Sequence, residues 1–278
     1  MPDPAKNSQT ALLSSRGVIR IGGPDAREFL QGLITNDVKK ATETSAIYAA
    51  LLTPQGKILF DFFITRSGDD FLLDCHGEFA AQLAKRLTMY RLRAKVEIED
   101  QSSALHVTAH FGEGANGAPD GYADPRLTAL GRRILSADAA LAINASEEDY
   151  MSFCLAHGIG NIPLDAGQDK TFLLEANFDE LNGVDFTKGC YVGQELAARM
   201  KHRSKVRKRL MPVVLEGALP EPGTPVMAGT REIGSLRSGI GNRVIALLRL
   251  DRLEEAGDTP LLAGDVPLTI QWPEWLPK

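Results

Sequence analysis

In the run Thr187-Lys188-Gly189-Cys190-Tyr191-Val192-Gly193-Gln194-Glu195, a thiol stands two residues after a lysine, between two glycines, with an amide-carboxylate pair following. A thiol attacks or ligates only as thiolate, a form that a nearby cation or a helix N-terminus favours. Leu196 and Met200, four apart with Ala197 and Ala198 between them, predict a helix over Val192 to Lys201 that opens beside Cys190. Cys190 and Lys188 are therefore the candidate catalytic pair. The plainer alternative is that Cys190 is a small, half-buried hydrophobe, the role most free cysteines fill. Gly189 and Gly193 permit close backbone approach or unusual dihedrals.

An acidic run, Glu175 to Asp185, precedes this motif, and a basic run, Arg199 to Arg209, follows it with seven Lys and Arg in eleven positions. A polyanion suits the basic run, and binding would then weaken with salt. A solvated linker and sheet edge is the alternative. Few aromatics interleave with these cations, which counts against base stacking and hence against RNA.

The chain of 278 residues is 44% hydrophobic and 24% charged, the composition of an ordinary globular chain with room for two or three compact units. A net charge of −5 and a pI near 5.6 exclude a generic nucleic-acid binder and confine any anion site to a local patch. Cys75, Cys154 and Cys190 lie far apart, without a Cys-x-x-Cys, so neither a disulfide framework nor a closed one-chain metal site is expected. Any cluster would need outside ligands. Cys154 and His157 share a predicted helix three residues apart, where core packing outweighs a metal pair. Met1 to Thr10 lacks an apolar signal core, and no apolar run reaches about 18 residues. A cytoplasmic location without membrane contact is expected.

The motif Lys188-Gly189-Cys190-Tyr191-x-Gly193-Gln194-Glu195 resembles the signature of the YgfZ-type folate-binding proteins, relatives of the glycine-cleavage T-protein and of a mitochondrial iron–sulfur assembly factor. Gly23 to Asp37, Asp124-Pro125-Arg126 and Leu130-Gly131-Arg132 are similar to further segments of that family. The resemblance implies an α+β fold: a three-domain cloverleaf ring of two mixed α/β units with antiparallel sheets and a C-terminal β-barrel. The expected units are residues 1–45 with 121–205, residues 46–120, and residues 206–278. Tetrahydrofolate or a derivative is the implied cofactor. In Leu173-Leu174-Glu175-Ala176-Asn177, Glu175 matches the glutamate that holds the pterin, and one carboxylate can accept two parallel N–H bonds; otherwise it is a solvated carboxylate in an acidic loop. Asn36, Asp61, Tyr191, Gln194, Glu195 and Arg199 complete the implied folate set. Gly56-Lys57-Ile58-Leu59-Phe60-Asp61 keeps one carboxylate of the transferase's acidic pair, with Phe60 in place of the first. That loss counts against aminomethyl transfer and leaves folate binding. Asp61 could equally be a strand residue on a solvated face.

The function implied is a folate-dependent accessory factor in assembly or repair of iron–sulfur (4Fe–4S) enzymes, indirectly supporting tRNA modification, with assembly proteins or client enzymes as partners and Cys190 as the redox or transfer residue. The alternatives are a tetrahydrofolate-dependent one-carbon transferase or demethylase, and an RNA-interacting module using Arg199 to Arg209.

The elements that must position these residues are legible in part. A strand is expected over Gly17 to Gly23, and a helix from Pro24 to about Thr35. Strands Ala46 to Leu52 and Lys57 to Arg66 flank a Thr53-Pro54-Gln55-Gly56 turn. Phe71 to Asp74, Lys95 to Glu99 and Ala104 to Phe111 read as strands, Gly77 to Leu92 as a helix, and Gly112 to Asp124 as a loop. Ser146-Glu147-Glu148-Asp149 opens a helix that runs to about His157. Short apolar runs broken by Pro and Gly after Arg207 read as a small barrel.

Overall fold

The computed structural model describes residues 8–115, 120–138, 142–203 and 206–278. Most of the N-terminal stretch, part of the expected loop before Asp124, and Ser204 and Lys205 of the basic run lie outside the described residues.

The first sheet is antiparallel, in the order β3 (Ile47–Leu52), β4 (Ile58–Ser67), β5 (Asp70–His76), β2 (Arg16–Gly22), β6 (Glu97–Asp100). Helix α1 (Ala26–Leu33) and the longer α2 (Gly77–Arg91) pack on one of its faces through Leu30, Leu33, Ala80, Leu83 and Leu87. A second antiparallel sheet runs β1 (Ser8–Leu12), β7 (His106–Gly112), β9 (Arg132–Ser136), β8 (Tyr122–Ala123). Helix α3 (Glu147–Ala156) covers it, opened by a complete capping box between Ser146 and Asp149. A short α4 (Ile162–Asp165) and α5 (Gln194–Arg203) precede the closed barrel β10 (Lys208–Leu215), β13 (Arg243–Arg249), β12 (Arg231–Ile240), β11 (Pro225–Ala228), β14 (Leu261–Ala263), β15 (Val266–Ile270), with α6 (Leu250–Ala256) packed on it. Closure removes the unpaired edges that short strands would otherwise expose.

These pairings redraw the expected units. β2, expected with residues 121–205, is hydrogen-bonded to β5, and β7, expected in residues 46–120, lies between β1 and β9. Local periodicity predicts a strand but says nothing of which distant strand will satisfy its backbone.

Strand β3 shows why the site lies where it does. All six of its residues are buried because it separates two cores. Ile47, Ala49 and Leu51 enter the core under α1 and α2, while Tyr48, Ala50 and Leu52 point into a second core with Phe178, Leu173 and Tyr191. The period-2 alternation of a strand sorts them. Its free edge is closed by residues just after α1: the Thr35 amide donates to the Ala50 carbonyl at 3.0 Å, and the Ala50 amide donates to Thr35 Oγ1 at 2.8 Å. On β4, Phe60 and Phe62 join the first core, so Asp61 and Phe63 face the other way.

Candidate functional site

Asp61 and Phe63 face a cavity of about 170 Å³ between β4, α3, α4 and the barrel strand β12. Asp61 is 8% exposed, which overturns the solvated-face reading. It receives a hydrogen bond from the Tyr48 hydroxyl at 3.1 Å, and burial holds its carboxyl above the ordinary value against the pull of Arg16, Tyr48 and Arg126. Three guanidinium carbons stand over the Phe63 ring: Arg133 at 4.3 Å, Arg126 at 5.0 Å and Arg16 at 5.6 Å. Two carboxylates serve the three. Asp74 accepts from Arg16 Nε at 2.6 Å and from Arg133 Nε at 2.9 Å, and Asp124 accepts from Arg126 Nε at 3.0 Å and Nη2 at 2.7 Å. Burial alone would raise the Asp124 carboxyl; the charge and hydrogen bonds of Arg126 outweigh it and hold the group below its usual range. The rest of the wall is mixed: Leu155, Ile159 and Ile240 are apolar, His76, Glu147 and Asn161 are polar, and Cys154 lies among them, its thiol pushed up by burial. His157 at the end of α3 bonds its own helix through Nδ1 and the Phe153 carbonyl at 3.0 Å.

One side of the cavity is fastened by Asp165 at the end of α4. It accepts from the Ser238 amide at 2.9 Å, Ser238 Oγ at 2.7 Å and the Asn161 amide at 2.6 Å, tying α4 to the barrel. Ser238 lies where the β12–β13 register shifts between Leu236 and Gly239, an irregularity that re-aims side chains. Burial pushes the Asp165 carboxyl up to about 6 despite three donors. A carboxyl whose folded value exceeds its unfolded value binds its proton more tightly when folded, so its contribution to stability is complete below about pH 4 and is lost as pH rises through 6. Between pH 4.5 and 7.5 this amounts to about 2 kcal/mol. Urea unfolding at the two pH values should show this component in the parent and lack it in Asp165→Ala.

The cysteine motif lies away from the cavity and is strapped to α1 and to the β3–β4 turn. Asp185 starts the strap by accepting from the amide and the hydroxyl of Thr187, both at 2.7 Å, and from Lys40 at 2.8 Å. Lys188 Nζ donates to the Gln31 carbonyl at 2.7 Å and to the Ile34 carbonyl, while Gln31 Nε2 returns a bond to the Lys188 carbonyl. Lys188 thus satisfies carbonyls at the end of α1, which an ammonium suits. Burial pulls it down to about 8. Its hydrogen bonds go to no cysteine. At Gly193, whose φ is +82, a Cβ would stand 2.5 Å from the Thr53 carbonyl oxygen, and Gly56 of the hairpin turn packs against it. Gly189, at φ +98, has open space around it, so its need is conformational alone.

Cys190 is exposed, whereas Cys75 and Cys154 are buried. The half-buried alternative is therefore wrong. The two supports expected for a thiolate are nevertheless out of place: Lys188 serves α1, and α5 begins at Gln194, two residues later than predicted, because the positive φ of Gly193 cannot continue a helix. Gln194 Oε1 accepts from the Tyr191 amide at 3.3 Å, just before that first turn. Tyr191 is buried, its hydroxyl without a hydrogen-bond partner among the described residues, and burial pushes it up to about 12. Glu195 and Arg199 are exposed on α5.

Of the expected folate set, only Asp61 lines the cavity. Glu175 is half-buried and accepts from the Phe172 amide at 3.1 Å, next to Ala176 and Asn177, which line a recess beside Tyr48 and Arg126. Asn36 is committed to the scaffold, donating to the Tyr48 and Asn182 carbonyls, each at 2.8 Å. The two runs meet at Asp179: Arg209 is buried against it at 2.9 Å, and Lys201 reaches it at 3.4 Å. Arg16, Tyr48, Asp74, Arg133 and Tyr150 carry no motif and were not singled out, since nothing local distinguishes them from ordinary strand and helix residues. No helix among the described residues is long and apolar enough to cross a membrane.

Residues 10–116 match the GCVT N-terminal domain, and residues 207–278 match the CAF17 C-terminal beta-barrel domain. The crystal structure of glycine cleavage system aminomethyltransferase T from Bartonella henselae is similar over 97% of this chain and 86% of that one, with a TM-score of 0.76 at 16% identity. The fold is therefore the aminomethyltransferase type, α+β with a six-stranded barrel, as expected. Among curated proteins, the mitochondrial iron–sulfur cluster assembly factor IBA57 of Mus musculus is 34% identical over 95% of this chain and 84% of its own length. Its Homo sapiens counterpart is 32% identical over the same shares. Both relatives are mitochondrial, which overturns the cytoplasmic expectation. This chain, with its GCVT-type N-terminal region and CAF17-type barrel, belongs to the family of the IBA57 iron–sulfur cluster assembly factors.

Proposed function

We propose that this protein is a folate-dependent accessory factor in the assembly or repair of 4Fe–4S enzymes, acting with assembly proteins or the client enzymes themselves, and closest in role to the YgfZ-type members. Support for tRNA modification follows indirectly, through client enzymes that thiolate tRNA. The observation that carries the assembly role is the likeness, over nearly the whole chain, to assembly factors.

Tetrahydrofolate or a derivative fits the cavity's chemistry. A partly aromatic bicyclic heterocycle suits the apolar part of the wall and its aromatic floor, and its N–H groups suit a buried carboxyl whose one side-chain donor among the described residues is Tyr48. When bound, it would supply one-carbon chemistry. Asp61 would receive a ligand N–H, Phe63 with its three arginines would form the floor, and Glu175 from the neighbouring turn would accept from the pterin edge. The transferase reading is the weaker one, because Phe60 stands in the hydrophobic core where a second acid would be required. The RNA reading is weaker again, since Asp179 and Glu180 already occupy Lys201 and Arg209.

Two measurements test this reading. A strain lacking the protein should lose activity of its 4Fe–4S enzymes, and normal activities there would sink the assembly role. Calorimetry should show tetrahydrofolate binding to the parent, weakened in Asp61→Asn and in Glu175→Gln by on the order of 1.5–3 kcal/mol each, the value of a hydrogen bond to a charged group. An absence of binding heat in the parent would remove folate from the reading.

A further inference from the structure

The cavity contains a second polar group that the protein leaves unserved. His76, the last residue of β5, is 9% exposed and lines the cavity with Asp61, yet among the described residues its buried Nδ1 has no hydrogen-bond partner. Buried polar atoms are nearly always paired, and leaving one unpaired costs about 1–3 kcal/mol. Stacking of the ring on Phe79, with centroids 5.5 Å apart, accounts for where the imidazole packs but leaves its nitrogens unserved.

The strand register shows what stands beside it. β4 and β5 pair antiparallel with Phe62 opposite Cys75, so the next pair along is Asp61 opposite His76. Directly opposed residues project from the same face with Cβ atoms about 5 Å apart. Asp61 and His76 therefore present a carboxyl and an imidazole side by side on the cavity wall. Burial, and then the charge of Arg16, pull the imidazole below its usual value, which keeps it neutral near pH 7. A neutral imidazole offers one donor and one acceptor. With Tyr48 the one side chain hydrogen-bonded to Asp61 among the described residues, the pair has room for a ligand group that both gives and takes hydrogen bonds.

We infer that His76 is a specificity-determining contact, which together with Asp61 holds a ring secondary amine of the ligand in the cavity, a reduced pterin being the class that carries such an amine on a bicyclic heterocycle. This rests on the folate reading above. Phe60 supplies no second acid on β4, and the imidazole from β5 takes the place beside Asp61.

The test uses the full-length protein carrying 15N-labelled histidine, with tetrahydrofolate as the probe. Saturation should move the ring-nitrogen resonances of His76 and leave those of His106, His110, His157 and His202 in place. In calorimetry, His76→Phe should bind tetrahydrofolate about 3- to 10-fold more weakly, as loss of one neutral hydrogen bond does, and His76→Gln, which keeps a side-chain acceptor, should lose less. Binding by the parent with unmoved His76 resonances overturns the inference and leaves the folate reading intact. No binding by the parent overturns the folate reading, and this inference falls with it. Should His76→Phe fail to fold, the resonances of the parent still decide.

Discussion

Iodoacetamide at neutral pH is expected to modify Cys190 alone, and Cys190→Ala is expected to abolish rescue of a strain lacking the protein while leaving its unfolding midpoint unchanged. The selectivity rests on access and ionisation. Cys190 is exposed, whereas Cys75 is 2% exposed on β5 and burial pushes its thiol up to about 12. At pH 7.5 a thiol of that value is thiolate in fewer than about one molecule in 10⁴, and only the thiolate reacts. Cys154 is buried too, its thiol raised by burial. Cys75→Ala and Cys154→Ala, if folded, should rescue like the parent. Lys188→Ala should leave the alkylation rate of Cys190 nearly unchanged, because Lys188 is bonded to the Gln31 and Ile34 carbonyls. If Cys190→Ala rescues fully, the motif serves only to clamp α1 and the β3–β4 turn through Lys188 and Gly193, and the transfer role is lost.

The largest loss of stability outside the apolar cores is expected for Asp124→Ala. Asp124 and Arg126 are both buried and joined by two side-chain hydrogen bonds, and the Arg126 amide adds a third to Asp124 Oδ1 at 3.0 Å. Removing the carboxylate strands a guanidinium in the interior, which costs about 3–5 kcal/mol, a large part of the 5–15 kcal/mol that holds an ordinary domain together. Chemical denaturation should show a lower midpoint by that amount. The double variant Asp124→Leu with Arg126→Met should recover much of it, because a buried pair exchanged for apolar groups of similar volume is often neutral. A single variant within about 0.5 kcal/mol of the parent would mean that Arg126 finds another carboxylate. Loss of Arg126 from the Phe63 floor should also weaken tetrahydrofolate binding, which separates the cavity from the cysteine motif in one pair of proteins.

Features that depend on near neighbours in the chain were legible from residue order. The capping box at Ser146 and the Thr53–Gly56 turn, with the Gly56 amide on the Thr53 carbonyl at 2.9 Å, appear where expected, and the stretch after Arg207 forms the expected barrel. Each is decided by hydrogen bonds or dihedrals spanning only a few residues. The motif around Cys190 and the family likeness were legible for the same reason: they are strings of adjacent side chains. The start of α5 was misplaced because alanine and leucine propensity favours a helix from Val192, while the backbone of Gly193, held against Gly56, sits at a φ no helix admits.

What residue order could not determine is which distant side chain meets which. Asp74 joins Arg16 to Arg133 across 58 and 59 residues, and Lys188 reaches back 157 residues to Gln31. Asp61 reads equally well as a solvated strand residue until β4 pairs with β3 and turns it, with Tyr48 and Phe63, toward the cavity. The same holds for the charge runs, which look like a polyanion site in sequence, while the fold commits Arg209 and Lys201 of the basic run to Asp179 of the acidic one. Composition and periodicity determined which elements form and which thiol stands in an unusual motif. Burial, strand register and ion pairing over a hundred or more residues decided which carboxyl faces a cavity and which lysine is already occupied, because those are set by the energy of the assembled cores and not by any local preference.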